Sequence, residues 1–575
     1  MPRRVTLTRS AEPIDRANST RRVGSAHHVS IAECSIANLL WVSILLFSAT
    51  AGCRSDRPGL FNQEVLVTNR VDDGAIQVTR DGEVLDFKRG LLRGCAERMR
   101  PNSRTNCPYP LLETPDEFIG RGIVVRNAKN VTIRNARVCG FKIAIYAENA
   151  PGLTIENCDV SHNYRQHLKS TPEKEHTDDW LWGHENDQDE WLRYGAGIYL
   201  KNCDNVTIKN CRARDGQNGI CLVNCDNATI IDNDMSFMSG WGLAMWRSNN
   251  CKVLGNRFDY CIRGYSHGVY ARGQDSTGIL VYEQCSDNIF AYNRATHGGD
   301  GFFLYAGHET TQRTGEGGCN RNIVFQNDFS HAVANGIEAT FSDGNIFQEN
   351  KLHHCVHGVW AGYSSNTIIK GNDIADCDNG VSIEHGRGNQ IDANDFTRCA
   401  RGVWLWWDDD KDLIAGPYGQ KQGHDSARES IRKNLFDACK VAVLATTSKD
   451  VTLEQNRFSN CETPIRLTGE TTVTRFFDNA IESGLIDNQT STKLEGIENK
   501  AGSGVSQKGP VNVCRDECAD DFVSGTRGRA RPKLDPPETL RALKELRNIS
   551  LPPPLKDLPE GKQHVVIDER GPRHP

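Results

Sequence analysis

Residues 197–233 read GIYLKNCDNVTIKNCRARDGQNGICLVNCDNATIIDN, and they contain the same phrase twice. Gly197-Ile198-Tyr199-Leu200 leads to Val206-Thr207-Ile208-Lys209-Asn210, then Gly219-Ile220-Cys221-Leu222 leads to Ala228-Thr229-Ile230 and Asn233. Each phrase is two short apolar runs alternating at period two, too short for helices and bounded by turn residues. Read outward, an asparagine closes a similar phrase at positions 135, 157, 210, 233, 256, 293, 327, 350, 372, 394, 434 and 456. The gaps are 22, 53, 23, 23, 37, 34, 23, 22, 22, 40 and 22 residues. A fixed period of this size indicates stacked units that cannot bury their apolar faces alone.

This pattern resembles the right-handed parallel β-helix repeat family of the pectate-lyase-like superfold, specifically its generic β-helix-repeat branch. The resemblance implies an all-β solenoid of about 12–15 coils over residues 60–495, with stacked asparagines bonding from coil to coil. It does not fix an activity, because the superfold hosts lyases, hydrolases, epimerases and adhesins. The polygalacturonase set of Asn-x-Asp, Asp-Asp, Gly-His-Gly and Arg-x-Lys does not occur in order, and no pectate-lyase Trp-x-Asp-His is present.

The flanks read differently. An apolar run from Ala37 to Gly52 follows Arg21 and Arg22 and precedes Cys53, which suits an export signal over residues 1–53. Its end resembles a lipoprotein box with Cys53 as the lipidated residue, predicting a periplasmic, outer-membrane or cell-surface location. Residues 500–575 are rich in proline and charge and read as a tail or linker, with one short helix near Pro537–Arg547. Formal net charge is −6 without a basic stripe, which argues against a nucleic-acid partner. Of 21 cysteines, Cys261, Cys355, Cys377, Cys399, Cys439 and Cys461 each follow a repeat asparagine by five residues. They are expected to stack inward as small hydrophobes. Cys514 and Cys518 fall outside the ladder and can pair with each other or clip the tail.

The long gaps are insertions at known places. Tyr164–Tyr194 and Ile262–Thr277 precede a Gly-x-x-apolar strand, whereas Gly307–Gly318 and Asp408–Arg428 follow one. All four therefore overhang one strip of the solenoid and are expected to flank a groove. Alternation from each glycine turns Tyr199, Trp246, Tyr282, Phe303, Tyr305, Trp360, Trp404 and Trp406 outward on that strip. Exposed rings on many coils suit the apolar face of a sugar, so a polysaccharide is the expected partner.

Polar residues share the strip: Lys201, Arg247, Glu283, Asp300, Glu338, Glu384 and His385, with His297 just ahead of Asp300 in HGGDG. Glycoside hydrolysis needs paired carboxyls; Glu338 and Glu384 lie two coils apart, about 12 Å at Cα by strand spacing and rise. A lyase needs a cation and a base, for which Lys201, Arg247, His297 or His385 are candidates. The run Asp408-Asp409-Asp410-Lys411-Asp412 invites calcium. His176, Asp178, Asp179, His184 and Asp187 offer a second metal-ligand set. The expectation is an exported polysaccharide-active protein of lyase or glycoside hydrolase type. The alternative is a non-catalytic glycan- or protein-binding module.

Overall fold

The computed structural model describes residues 65–66, 74–94, 115–264, 273–494, 536–548, 566–568 and 571–573. The expected export segment, Cys53, Cys514 and Cys518 lie outside them. The chain winds through three parallel sheets, one strand per sheet per coil. The first sheet has 15 strands, from Ile76–Val78 to Asp487–Asn488, and the second has 14, from Val84–Asp86 to Val473–Phe477. The third is split into three-stranded and six-stranded parts. Single-residue parallel bridges from Arg137↔Asp159 to Asp328↔Lys351 join those parts.

Register explains the repeat. Thr207 pairs with Thr229 and Ile208 with Ile230, so like stacks on like at a spacing of about 4.8 Å. Most first-sheet strands carry a glycine near their start, where the coils come closest; Ala144, Ala442 and Pro464 take that position in others. A Cβ at Gly358 would lie 2.6 Å from the Gly380 carbonyl oxygen, and one at Gly380 would lie 2.5 Å from that of Gly402.

The asparagine ladder runs from Asn233 through Asn256, Asn293, Asn327, Asn350, Asn372, Asn394, Asn434 and Asn456 to Asn479. Each Nδ2 donates to the Oδ1 of the next asparagine, and each backbone N–H of the row does likewise. Asn135, Asn157 and Asn210 are a correction to the sequence reading. They sit one position earlier, in the left-handed corner at φ 56°, 54° and 51°. The buried ladder position there belongs to Ala136, Cys158 and Cys211. The 23-residue step from Asn210 to Asn233 contains that one-residue shift.

The interior is aliphatic and aromatic. Phe396, Phe436 and Phe458 stack at 4.8 and 5.0 Å. Cys261, Cys355, Cys377, Cys399, Cys439 and Cys461 are buried and free, as are nine further described cysteines. Cys203, Cys225, Cys285 and Cys319 form a second row, interrupted by Ser248, in which backbone N–H groups donate to the next Sγ or Oγ.

A helix over Pro536–Arg547 lies where the sequence places one. Its Leu543 and Leu546 cover Ile231, Leu254, Ile289, Ala291, Ile323 and Phe325 on the second sheet. Arg547 pairs with Glu349. Among the described residues no helix is long and apolar enough to cross a membrane.

Asn350 donates to Asn372 and the Val324 carbonyl and accepts from Asn327. Asn350→Ala strands those buried partners and is expected to lower stability by about 2–4 kcal/mol. Asn210→Gly, at an exposed left-handed corner, should stay within about 0.5 kcal/mol. Urea unfolding of the two variants checks the contrast; equal effects would contradict the ladder assignment.

Candidate functional site

The outer face of the first sheet carries three columns of side chains. Glycine points its missing Cβ to the core, and the residue after it also faces inward, so the chain bends there. The residue before glycine therefore faces outward too. From the coil of Asp300 onward, the first column reads Asp300, Asn335, His357, Asn379 and Arg401. The middle column reads Phe303, Glu338, Trp360, Ser382 and Trp404. The far column includes Tyr305, Thr340, Glu384 and Trp406.

The N-terminal half of this face is covered, which corrects the expectation of one continuous aromatic track. Tyr199, Trp246, Tyr282 and Phe303 are buried. The insertion Tyr164–Tyr194 folds down on them, laying Leu181, Trp191 and Tyr194 across Tyr146, Tyr199, Trp241 and Trp246. Trp191 and Trp241 rings lie 4.8 Å apart, and Trp241 Nε1 donates to the Gln274 carbonyl at 2.9 Å. The apolar underside of the insertion outcompetes solvent for those rings. Tyr305 is half-buried, with its hydroxyl at 3.0 Å from Thr311 Oγ1 of the third insertion.

Ion pairs fasten the cover. Lys201 Nζ meets Asp189 at 2.6 Å, and Arg247 meets Asp187 at 2.8 Å. Glu283 accepts from the backbone N–H groups of His308 and Glu309. Asp187, Arg247, Glu283, His308 and Glu309 line a polar cleft of about 190 Å³ between the first and third insertions, with His184, Glu185 and Arg313. Lys201 and Arg247 are thus engaged by carboxylates of the first insertion. The proposed metal set in the first insertion is dispersed. Asp178 pairs with Lys169, and Asp179 accepts from Lys169 and Ser170. His184 packs against Tyr282, Tyr305 and His308. His297 lies off the strip, on the preceding turn, in a ring stack with Tyr260 and His331.

The C-terminal half stays open. Trp360, Trp404 and Trp406 are each partly exposed. Trp404 and Trp406 stack at 4.0 Å, and Trp360 meets Trp406 edge-on at 6.1 Å. Arg401 lies over Trp404 at 4.5 Å and donates to the neutral amide oxygen of Asn379 at 2.6 Å.

Beside this wall stand two carboxyls bridged by one residue. Asn335 donates its backbone N–H to Asp300 Oδ1 and its amide to Glu338 Oε2, each at 2.7 Å. Asp300 is fully buried, and its Oδ2 has no hydrogen-bond partner. The backbone of Gly273 presses on it, where a Cβ would fall 1.8 Å from Oδ2. Burial pushes the Asp300 carboxyl up to about 7. Glu338 is raised well above its ordinary range by burial first and then by Asp300, yet it keeps an exposed edge. Both carboxyls of the pair thus resist ionisation more than ordinary ones. Next to it His357 contacts Ser382 Oγ at 2.9 Å, and burial lowers its imidazole to about 4.

Asn335, His357, Asn379, Ser382 and Arg401 were not singled out from sequence. Four of them directly precede a glycine, and the bend at glycine breaks the alternation that identified the others. Glu384 and His385 fall at the far edge, where Asp408 from the fourth insertion joins them. The acid run therefore contributes one residue to a mixed cluster instead of forming an oxygen-only loop.

Unfolded Asp300 titrates near 4 and folded Asp300 near 7, so the folded chain binds more protons between those values. Stability should fall as pH rises through that window, by up to about 4 kcal/mol from this group. Asp300→Asn should flatten the urea midpoint between pH 4.5 and 7; an unchanged slope would contradict the buried acid.

Residues 192–315 and 312–416 match the family model described as right handed beta helix region. No curated protein matches the chain in sequence. Similar solved structures include a periplasmic alginate epimerase, at 13% identity over 65% of this chain and 78% of that one, TM-score 0.40. Another is the A-module of an Azotobacter vinelandii mannuronan C-5 epimerase, at 13% identity over 75% and 88%, TM-score 0.33. A surface adhesin of Streptococcus pneumoniae aligns at 10% identity over 61% and 85%, TM-score 0.32. Likeness of this size carries no activity from one chain to another. The strand register continues on both sides of the matched residues, and the described coils fold as a parallel β-helix with a right-handed β-helix region at their centre.

Proposed function

We propose that the open half of the first sheet binds a polysaccharide and cleaves it with Glu338 as proton donor. The observation that carries this reading is a carboxyl, Glu338, raised well above its ordinary range by burial and by Asp300, beside a wall of partly exposed tryptophans. A protonated acid next to a bound glycosidic oxygen assists its departure, as both hydrolysis and elimination require. Glu338 faces the open side, whereas Asp300 is sealed under Gly273. Asp300 is thus a positioning residue: it raises Glu338 electrostatically and shares the Asn335 bridge.

Trp360, Trp404 and Trp406 supply stacking surface for sugar rings, and Arg401 sits at the edge of that platform with a charge no carboxylate of the described residues is shown to pair. The export expectation fits such a substrate, since polysaccharides of this kind lie outside the cytoplasm. A second reading uses the same platform for binding without cleavage.

Incubation with uronate, sulfated and neutral polysaccharides separates the two. Unsaturated product absorbing in the ultraviolet indicates elimination, and new reducing ends without it indicate hydrolysis. Binding without product leaves the adhesive reading, and no binding to any of them sinks both. Glu338→Gln should lower kcat by about 100-fold or more while keeping affinity within about threefold. Trp404→Ala should weaken affinity by roughly 3- to 10-fold.

A further inference from the structure

Where the fourth insertion leaves the sheet, Glu384, His385 and Asp408 bring one ligand atom each to within 4.8 Å of one another. Asp408 lies 23 residues beyond His385 in sequence, and the strand Arg401–Trp406 with its turn closes the gap. His385 is 1% exposed, in the left-handed region at φ 53°, with its ring stacked on Tyr363 at 4.8 Å. Its orientation is therefore fixed.

The hydrogen bonding of His385 sets its tautomer. Nδ1 contacts the backbone carbonyl of His424, which can only accept, so Nδ1 carries a proton. Nε2 is buried without a hydrogen-bond partner and faces Asp408 Oδ1 at 3.6 Å. Nε2 thus offers Asp408 either a proton or a lone pair, and in the lone-pair form a cation placed between the two atoms would be bound by both. A histidine whose second nitrogen is held by a carbonyl is the usual arrangement of a metal ligand. Glu384 is oriented in the same manner, its Oε1 accepting from Trp406 Nε1 at 2.9 Å, and next to the cluster Asp410 accepts from the Tyr363 hydroxyl at 3.0 Å.

We infer that Glu384, His385 and Asp408 form a binding site for a first-row divalent cation. One imidazole nitrogen with two carboxylates suits Mn²⁺, Fe²⁺ or Zn²⁺ more than Ca²⁺, which takes six to eight oxygens. Ligand distances of about 2.0–2.2 Å are reached by a small adjustment of the exposed Asp408 side chain, and water completes the sphere. The ion would tie the root of the fourth insertion to the sheet beside Trp406. This inference stands on geometry separate from the Asp300–Glu338 pair and does not depend on glycan cleavage.

Mn²⁺ is the probe of choice, because the many buried thiols of this chain compete poorly for it. After dialysis against chelator, titration of the full chain followed by calorimetry and Mn²⁺ electron paramagnetic resonance should show one saturable site. His385→Ala and Asp408→Asn should each weaken it by at least about 10-fold, and equimolar Ca²⁺ should not displace the ion. Asp408 is exposed, so Asp408→Asn keeps the test valid if the buried His385 variant fails to fold. Absence of a saturable site, unchanged affinity in Asp408→Asn, or displacement by equimolar Ca²⁺ would each overturn the inference.

Discussion

Parallel stacking of coils at one strand spacing is the constraint from which the rest of this molecule follows. At about 4.8 Å, each residue meets its counterpart in the next coil before it meets anything else. Buried polar groups then have one economical solution, which is to bond to a copy of themselves. The asparagine row from Asn233 to Asn479 does so with both side-chain amide and backbone N–H. The cysteines solve the same packing problem without strong polar demands, filling small interior positions as soft apolar groups. Glycine at the bend answers a harder version, where a single Cβ would strike the neighbouring carbonyl.

A stack so regular offers no concave site by itself, and the insertions create one. The first insertion seals the N-terminal half of the face with Leu181, Trp191 and Tyr194. The third and fourth insertions lean on each other, with Lys421 meeting Glu316 at 2.8 Å. What remains uncovered is a short stretch of sheet with a tryptophan wall, flanked by the Asp300–Glu338 pair and a histidine–carboxylate cluster. The burial that makes Asp300 costly to ionise is supplied by Gly273, at the end of the second insertion. Chemistry on this face is therefore a property of the loops acting on a rigid ruler.

Much of the fold was legible because period-two alternation and a 22-residue spacing are direct images of strand geometry. The three N-terminal asparagines misled by one residue, since Asn suits both a left-handed corner and a ladder, and the chain uses it for both. Sequence also located the strip and named Glu338, Trp360, Trp404 and Trp406. It did not separate buried from open rings, because that depends on how Tyr164–Tyr194 folds back, and no periodicity constrains an insertion. His357 and Asn335 were hidden by the bend at glycine, which adds an inward residue and shifts the alternation. Lys201 and Arg247 looked available because their acidic partners, Asp189 and Asp187, lie within that same insertion.

The central claim is that the open tryptophans, and not the covered ones, meet the glycan. Oxidative footprinting of the tryptophans by mass spectrometry, with and without a bound polysaccharide, tests it most directly. Trp360, Trp404 and Trp406 should react in the free protein and become protected on binding. Trp191, Trp241 and Trp246 should stay unreactive in both states. Reaction of the covered set in the free protein, or binding that leaves the open set as reactive as before, would contradict the account.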